Sequence, residues 1–321
     1  MVGRRLVAAA LTFSLAPGTA SADDVLATLP SLQQSDLSAY GGHVVWSERI
    51  APAVNVLMRW RAGRVERLPV RSRKVPFDLD LGPDARGRAV AVYSRCAGEH
   101  NIERPVRRCD VYQLSLTSGR ERRLRRVSTL PRSEYAPTIW RGTVAYASAT
   151  RSGRRPRLML LRRGARRPRR LLTRTGLTAS SRLEPMDLTS NALVFIRGNY
   201  DAWELRRVRL SGGRGTILAK GISQEGFGDA PESPNATPHE TIWVRAVSTP
   251  CRETRIVVDR DGQRRMTAPT PREIRALARD GSTLYAITSA PAPCSVPSDT
   301  TLVRLSPPVF AAATERGRAG A

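Results

Sequence analysis

The chain has 321 residues, of which 40% are hydrophobic, and its 53 basic against 28 acidic side chains give a formal net charge of +25. That apolar share excludes a disordered polyelectrolyte, and the charge predicts a surface that attracts polyanions. Only Lys74 and Lys220 are lysines; a GC-rich coding bias accounts for arginine over lysine but not for the excess of positive over negative charge.

In chain order, the first feature is MVGRRLVAAALTFSLAPGTASADD, where Arg4 and Arg5 precede an apolar run from Leu6 to Ala16 and small residues at Ala20, Ser21 and Ala22. This reads as a secretory signal peptide over residues 1–22. The run is too short to span a bilayer, which takes about 20 residues, and no later segment approaches that length. The expected product is a secreted or periplasmic, extracytoplasmic bacterial protein with no transmembrane segment.

From residue 41 onward one pattern recurs. A turn residue is followed by an apolar pair and an aromatic ring in GGHVVW, GRAVAVY, GTVAY, NALVF, HETIW and GSTLY, which place aromatics at Trp46, Tyr93, Tyr146, Phe195, Trp243 and Tyr285. A second apolar run follows each: NVLMRW, DVYQLSL, RLMLL, WELRRVRL, TRIVV and TTLVRL. Several alternate apolar with polar residues, the period of a half-buried strand. Glycine turns at Gly63, Gly119, Gly212 with Gly213, and Gly262 then lead into basic segments, a hairpin signal. Ahead of the aromatic strands lie further short runs, clearest in FDLDL, APTIW, EPMDL and EIRALA. Each unit is therefore four strands.

With 23 prolines and 24 glycines interrupting any helical stripe, six units repeating about every 50 residues predict an all-β, six-bladed β-propeller of four-stranded blades. The last unit lacks an outer strand, because TTLVRLSPPVF runs into AAATERGRAGA; DVLATLP near the start is expected to supply it and close the last blade. The reading is one propeller domain over residues 23–310 and a disordered tail over 311–321.

Residues 81–93, LGPDARGRAVAVY, carry Pro83, Asp84, Gly87 and a strand ending at Tyr93. This stretch resembles the Ser-Pro-Asp-Gly unit of TolB-like, WD40-like propeller repeats, and the other five units keep the apolar and aromatic positions. The resemblance implies six blades and a binding scaffold in the cell envelope.

Antiparallel blades put the loops between second and third strands on one face and the turns between third and fourth strands on the other. All four cysteines fall on the first face. An even number in an exported chain favours two disulfides, and the expected pairs, among three possible connectivities, are Cys96 with Cys109 and Cys251 with Cys294. Gaps of 13, 142 and 43 residues between them argue against a zinc site, so no metal and no cofactor are expected. Arginine runs at 59–74, 120–126, 162–170 and 260–265 sit on outer hairpins and predict a basic ring around the periphery.

Chemistry is sparse. His43, His100 and His239 fall in turns and loops; no G-x-S-x-G or H-E-x-x-H motif occurs, and no catalytic residue is assigned. Asp78, Asp80 and Asp84 superficially suggest a calcium loop, but they alternate with Phe77, Leu79 and Leu81 as a strand does. Tyr200, Asp201, Trp203 and Glu204 form an aromatic and acidic cluster that reads either as a loop suited to a sugar or peptide or as a tight hairpin whose Trp203 packs between blades. The functional expectation is a monomeric, non-enzymatic propeller that binds a protein or cell-envelope component. The alternatives are a carbohydrate-active enzyme, lyase or glycosidase, with two acidic residues near the channel, and an envelope protein that binds an anionic polymer.

Overall fold

The computed structural model describes residues 23–30, 34–96, 108–129, 131–150, 156–172, 182–198, 202–213, 215–222, 231–247, 253–289 and 300–307. Among them there is no helix. The chain begins with β1 (Asp24–Leu29), and blade 1 follows as β2 (Gln34–Tyr40), β3 (His43–Ala51), β4 (Val54–Arg61) and β5 (Arg64–Arg67). Blade 2 is β6 (Leu79–Pro83), β7 (Ala89–Cys96), β8 (Cys109–Ser115) and β9 (Glu121–Arg123), and blade 3 is β10 (Arg132–Trp140), β11 (Thr143–Thr150), β12 (Arg157–Leu161) and β13 (Arg169–Arg170). Blade 4 is β14 (Arg182–Leu188), β15 (Ala192–Gly198), β16 (Ala202–Arg209) and β17 (Thr216–Ile222). Blade 5 is β18 (Pro231–Ala236), β19 (Glu240–Val247), β20 (Glu253–Arg260) and β21 (Gln263–Met266), and blade 6 contributes β22 (Glu273–Asp280), β23 (Thr283–Ser289) and β24 (Thr300–Leu305).

The molecule is a six-bladed propeller. Five sheets run in sequence order from inner to outer strand, and the sixth has the order β1-β24-β23-β22, so the first strand of the chain is the outer strand of the last blade. Its antiparallel register runs from Asp24 opposite Arg304 to Leu29 opposite Thr300. The expected closure is thereby formed, and the Asp24 carboxylate accepts a hydrogen bond from Arg304 Nε at 3.0 Å.

Packing follows from the two faces of a strand pointing at two neighbouring blades. Trp46 packs with Ile287 and Leu302 of blade 6, whereas Val45, one residue earlier, packs with Phe77 and Tyr93 of blade 2. Tyr146, Phe195 and Trp243 likewise each face the preceding blade and are almost fully buried. The sixth aromatic breaks the series. Tyr285 packs with blade 1, its ring centroid 6.2 Å from that of Trp60, while Ala286 meets blade 5. In blade 3 Gly142 is the second residue of a two-residue turn; in blade 6 Gly281 is the first. Counting four residues on from the glycine therefore lands one place short in blade 6, and one place reverses the face.

Several outer arginines brace the blades rather than simply meeting solvent. Arg59 Nη1 donates to the Leu116 carbonyl at 2.6 Å, joining blades 1 and 2, and Arg126 Nη1 donates to Ala165 O, joining blades 2 and 3. Arg162 Nη2 reaches Leu210 O at 3.1 Å, joining blades 3 and 4, and Arg207 Nη2 reaches Thr237 O at 2.8 Å, joining blades 4 and 5. Each satisfies a carbonyl at a blade edge that no strand covers, through a charged donor.

Candidate functional site

Radial sheets leave a channel on the propeller axis, here about 790 Å³. The inner strands β2, β6, β14, β18 and β22 line it, with Trp140 at the end of β10. Register decides which side chains stand near the axis. Opposite the residue that precedes the aromatic in blades 1 to 5 are Ser38, Asp80, Thr138, Asp187 and Asn235, all polar, and Ala278 holds the place in blade 6. Of these, Ser38, Asp80, Asp187 and Asn235 line the channel, as do Arg279 and Asp280 on β22, whereas Thr138 and Ala278 are fully buried.

These groups bond across blade boundaries. Asp80 accepts from Ser38 Oγ at 3.0 Å, from Thr138 Oγ1 at 2.6 Å and from the Ile139 N–H at 3.0 Å, so one carboxylate ties blades 1, 2 and 3. Asp187 accepts from the Ala236 N–H of blade 5. Asn235 Nδ2 donates to the Leu277 carbonyl of blade 6 at 3.0 Å, and Asp280 accepts from the Gly42 N–H of blade 1 at 2.8 Å. The inner wall is thus a chain of polar contacts that fixes blade spacing, and buried polar groups are held in this way because leaving one unpaired is costly.

The electrostatics centre on two carboxyl groups. Burial pushes Asp80 up to about 6, against the hydrogen bonds it receives from Thr138, Ile139 and Ser38. Asp187 is raised well above the ordinary carboxylate range by burial first and then by the charge of Asp80, with Arg279 acting in the opposite direction. The two carboxyls therefore sense one another within the same channel. Arg279 itself is drawn toward the face, where it pairs with Glu240 at 2.5 Å and donates to Gly281 O at 2.7 Å. Aromatic rings stand at the mouth on the side of the turns between first and second strands: Tyr40 and Trp140 meet edge to face at 6.4 Å, and the Arg141 guanidinium lies 6.0 Å from the Trp140 ring centre.

The loop cluster singled out from the sequence lies elsewhere. Trp203 and Glu204 belong to β16, the third strand of blade 4; Trp203 is buried, and Glu204 pairs with Arg197 at 2.6 Å and Arg206 at 3.2 Å. Tyr200 and Asp201 lie outside the described residues. Cys96 and Cys109 form a disulfide across β7 and β8, whereas Cys251 and Cys294 lie outside the described residues, as does His100. His43 is buried, and burial with the charges of Arg61 and Arg59 lowers it to about 4, so it is neutral at pH 7. Of the acidic string only Asp80 is in a strand, β6; Asp78, just before it, accepts from the Ser94 N–H at 2.7 Å and the Ala136 N–H at 2.7 Å. Asp84 caps its own turn by accepting from the N–H groups of Arg86 and Arg88, and it pairs with the Arg88 guanidinium at 2.7 Å. Although burial acts the other way, the bonds from Arg88 hold that carboxyl below its usual range. Among the described residues no group of three or more His, Cys, Asp or Glu has the arrangement of a metal site.

Asp187 and Arg279 were not legible as site residues. Their only sequence signal is a polar residue inside a short apolar inner strand.

No family model and no curated protein sequence matches the chain. Solved structures do. TolB from Acinetobacter baumannii aligns with a TM-score of 0.51 and 11% identity over 84% of this chain and 65% of that one. A puromycin hydrolase aligns at 0.52 and 15% identity over 89% of this chain and 55% of that one. A chain of the nidogen/laminin complex aligns at 0.50 and 15% identity, over 83% of this chain and 95% of that one. The likeness is one of fold. This chain thus spans roughly two thirds of the TolB chain and about half of the hydrolase.

Proposed function

We propose that the chain is an extracytoplasmic, monomeric and non-catalytic binding propeller, which receives a segment of a partner protein or envelope component in its axial channel. The observation that carries this reading is the channel itself: a cavity of about 790 Å³ whose mainly apolar wall carries a few polar groups, Asp80 and Asp187 among them, under an aromatic rim. That volume falls in the range of ligand pockets, roughly 300–1,000 Å³, and aromatic rims anchor peptides well. Export is supported by the signal-like residues 1–22 and by the Cys96–Cys109 disulfide, since such bonds persist in oxidising compartments. The proposal also takes Cys251 and Cys294 as a second bridge, and Tyr200, Asp201, Trp203 and Glu204 as a subsidiary contact on blade 4. A photo-cross-linking side chain at Trp140, at the channel mouth, is expected to capture a discrete partner in intact cells. The same group at the exposed Ile217 of β17 is expected not to. Equal capture at both positions overturns the channel reading.

One observation favours a second reading. Asp80 and Asp187 both line the channel, burial raises the proton affinity of both, and a pair of carboxyl groups in one cavity is what a glycosidase or lyase employs. Turnover of a glycan panel by the wild type, lost in Asp187→Asn, selects that reading over binding.

A further inference from the structure

The positive charge is not spread evenly around the propeller. Residues 135–183 contain thirteen arginines and no Asp or Glu. The one acidic residue of blade 3 is Glu134, which is buried and accepts from Thr129 Oγ1 at 2.8 Å. Every other blade has at least one internal ion pair: Arg59–Glu66, Arg123–Asp110, Arg197–Glu204, Arg260–Glu240 and Arg304–Asp24 for blades 1, 2, 4, 5 and 6. Blade 3 has none among the described residues. An arginine-rich coding bias acts on all six blades alike, so it does not account for a single sector without counterions.

The unpaired groups converge on one turn. Between β12 and β13 runs RRGARRPRR, residues 162–170, in which Arg163, Arg166, Arg167 and Arg170 are exposed and their guanidinium groups have no protein partner among the described residues. The backbone beneath them is fixed. Gly164 adopts φ +79, and Arg126 of blade 2 and Arg162 and Arg169 of blade 3 bind main-chain carbonyls at either side. Because strands alternate in direction, this turn opens on the same face as Tyr40, Trp140 and the channel mouth.

We propose that the β12–β13 turn of blade 3 is a docking surface for a linear polymer carrying repeated phosphate groups. This surface is separate from the channel and does not depend on what the channel binds. Guanidinium forks match phosphate oxygens in pairs, and a row of them on a braced turn adds contacts with little further ordering. A membrane surface is the weaker fit: the exposed large hydrophobic residues Val25, Ile50, Val65 and Ile217 all lie on other blades, so blade 3 offers no apolar anchor beside its charges among the described residues.

The test uses the full chain and long-chain inorganic polyphosphate, titrated across a salt series. A variant with Arg163, Arg166, Arg167 and Arg170 changed to Ser is compared with one in which Arg64, Arg67, Arg71 and Arg265, exposed on blades 1 and 5, are changed to Ser, so that net charge is identical. Each lost phosphate contact lowers the slope of log affinity against log salt by about 0.7 for a single-stranded polyanion, so the blade 3 variant is expected to lose about 3 from the slope. The control is expected to keep the wild-type slope. Equal losses in both variants, or no wild-type binding, overturn the proposal, as does tighter binding to vesicles containing anionic phospholipid than to the polymer. Should the fourfold variant fail to fold, the pair Arg166→Ser with Arg167→Ser is expected to remove about half as much.

Discussion

Ring closure rests on β1, and Leu29 is where that strand enters the core. Its side chain is buried in a cluster that includes Leu37, Val44 and Trp46 of blade 1 and Ala276, Ile287 and Leu302 of blade 6, so it spans the seam between the ends of the chain. Leu29→Ala removes three carbon atoms from a packed site whose walls belong to two sheets and relax little. Losses for such truncations run to about 2–5 kcal/mol, the transfer term plus a term for the void. Packing against side chains of two blades at once places this substitution in the upper half of that range. For a chain of this size about 2 °C of Tm accompanies each kcal/mol, so a drop of roughly 7–10 °C is expected. Val25→Ser, on the same strand but 63% exposed, serves as the control and should change stability by no more than about 0.5 kcal/mol. Urea unfolding at pH 7 with matched tryptophan fluorescence and circular dichroism reads both. If Leu29→Ala is no more harmful than Val25→Ser, β1 does not hold the ring shut.

The Asp80 carboxyl, raised to about 6 from an ordinary 3.8, keeps its proton in the folded chain where the unfolded chain has lost it. Between those values the native state binds more protons, so this group's contribution to stability grows as pH falls through 6. The stability of wild type minus that of Asp80→Asn should rise by about 2 kcal/mol from pH 7 to pH 4.5, read by urea midpoints, and a difference that shrinks on acidification contradicts the assignment. Replacing Cys96 and Cys109 by Ser opens a loop closed across a separation of 13 residues and should cost about 3 kcal/mol, with reductant thereafter lowering the Tm of the variant by less than it lowers that of the wild type. Gly82 lies against blade 3, and a Cβ there would stand 2.2 Å from the Ile139 carbonyl oxygen, a main-chain atom that cannot swing aside. Gly82→Ala is expected to cost about 1–3 kcal/mol, and a loss below about 0.5 kcal/mol refutes the close approach.

What the sequence by itself determined was the repeat, and with it the fold: local alternation, turn glycines and a nearly constant unit length each report on neighbours only a few residues away. The same locality made the Cys96–Cys109 pair legible, since those residues stand opposite each other in one hairpin. The end-to-end seam was legible too, because an unpaired edge at β24 called for a strand and DVLATLP had the pattern of one. The channel was not. In β2, β10, β14, β18 and β22 the pairing shifts at a bulge, with Asp36, Ala136 and Ser233 at positive φ within three of them. One extra residue exchanges the faces of every side chain beyond it, so period-two reading along an inner strand loses track of which residues approach the axis. Asp187 therefore came to share a cavity with Asp80, more than a hundred positions away, only once the ring had closed. The acid-free stretch 135–183 stood in the sequence, but only the tertiary arrangement decided which of its arginines brace a neighbouring blade, as Arg162 does on the Leu210 carbonyl, and which have no partner among the described residues.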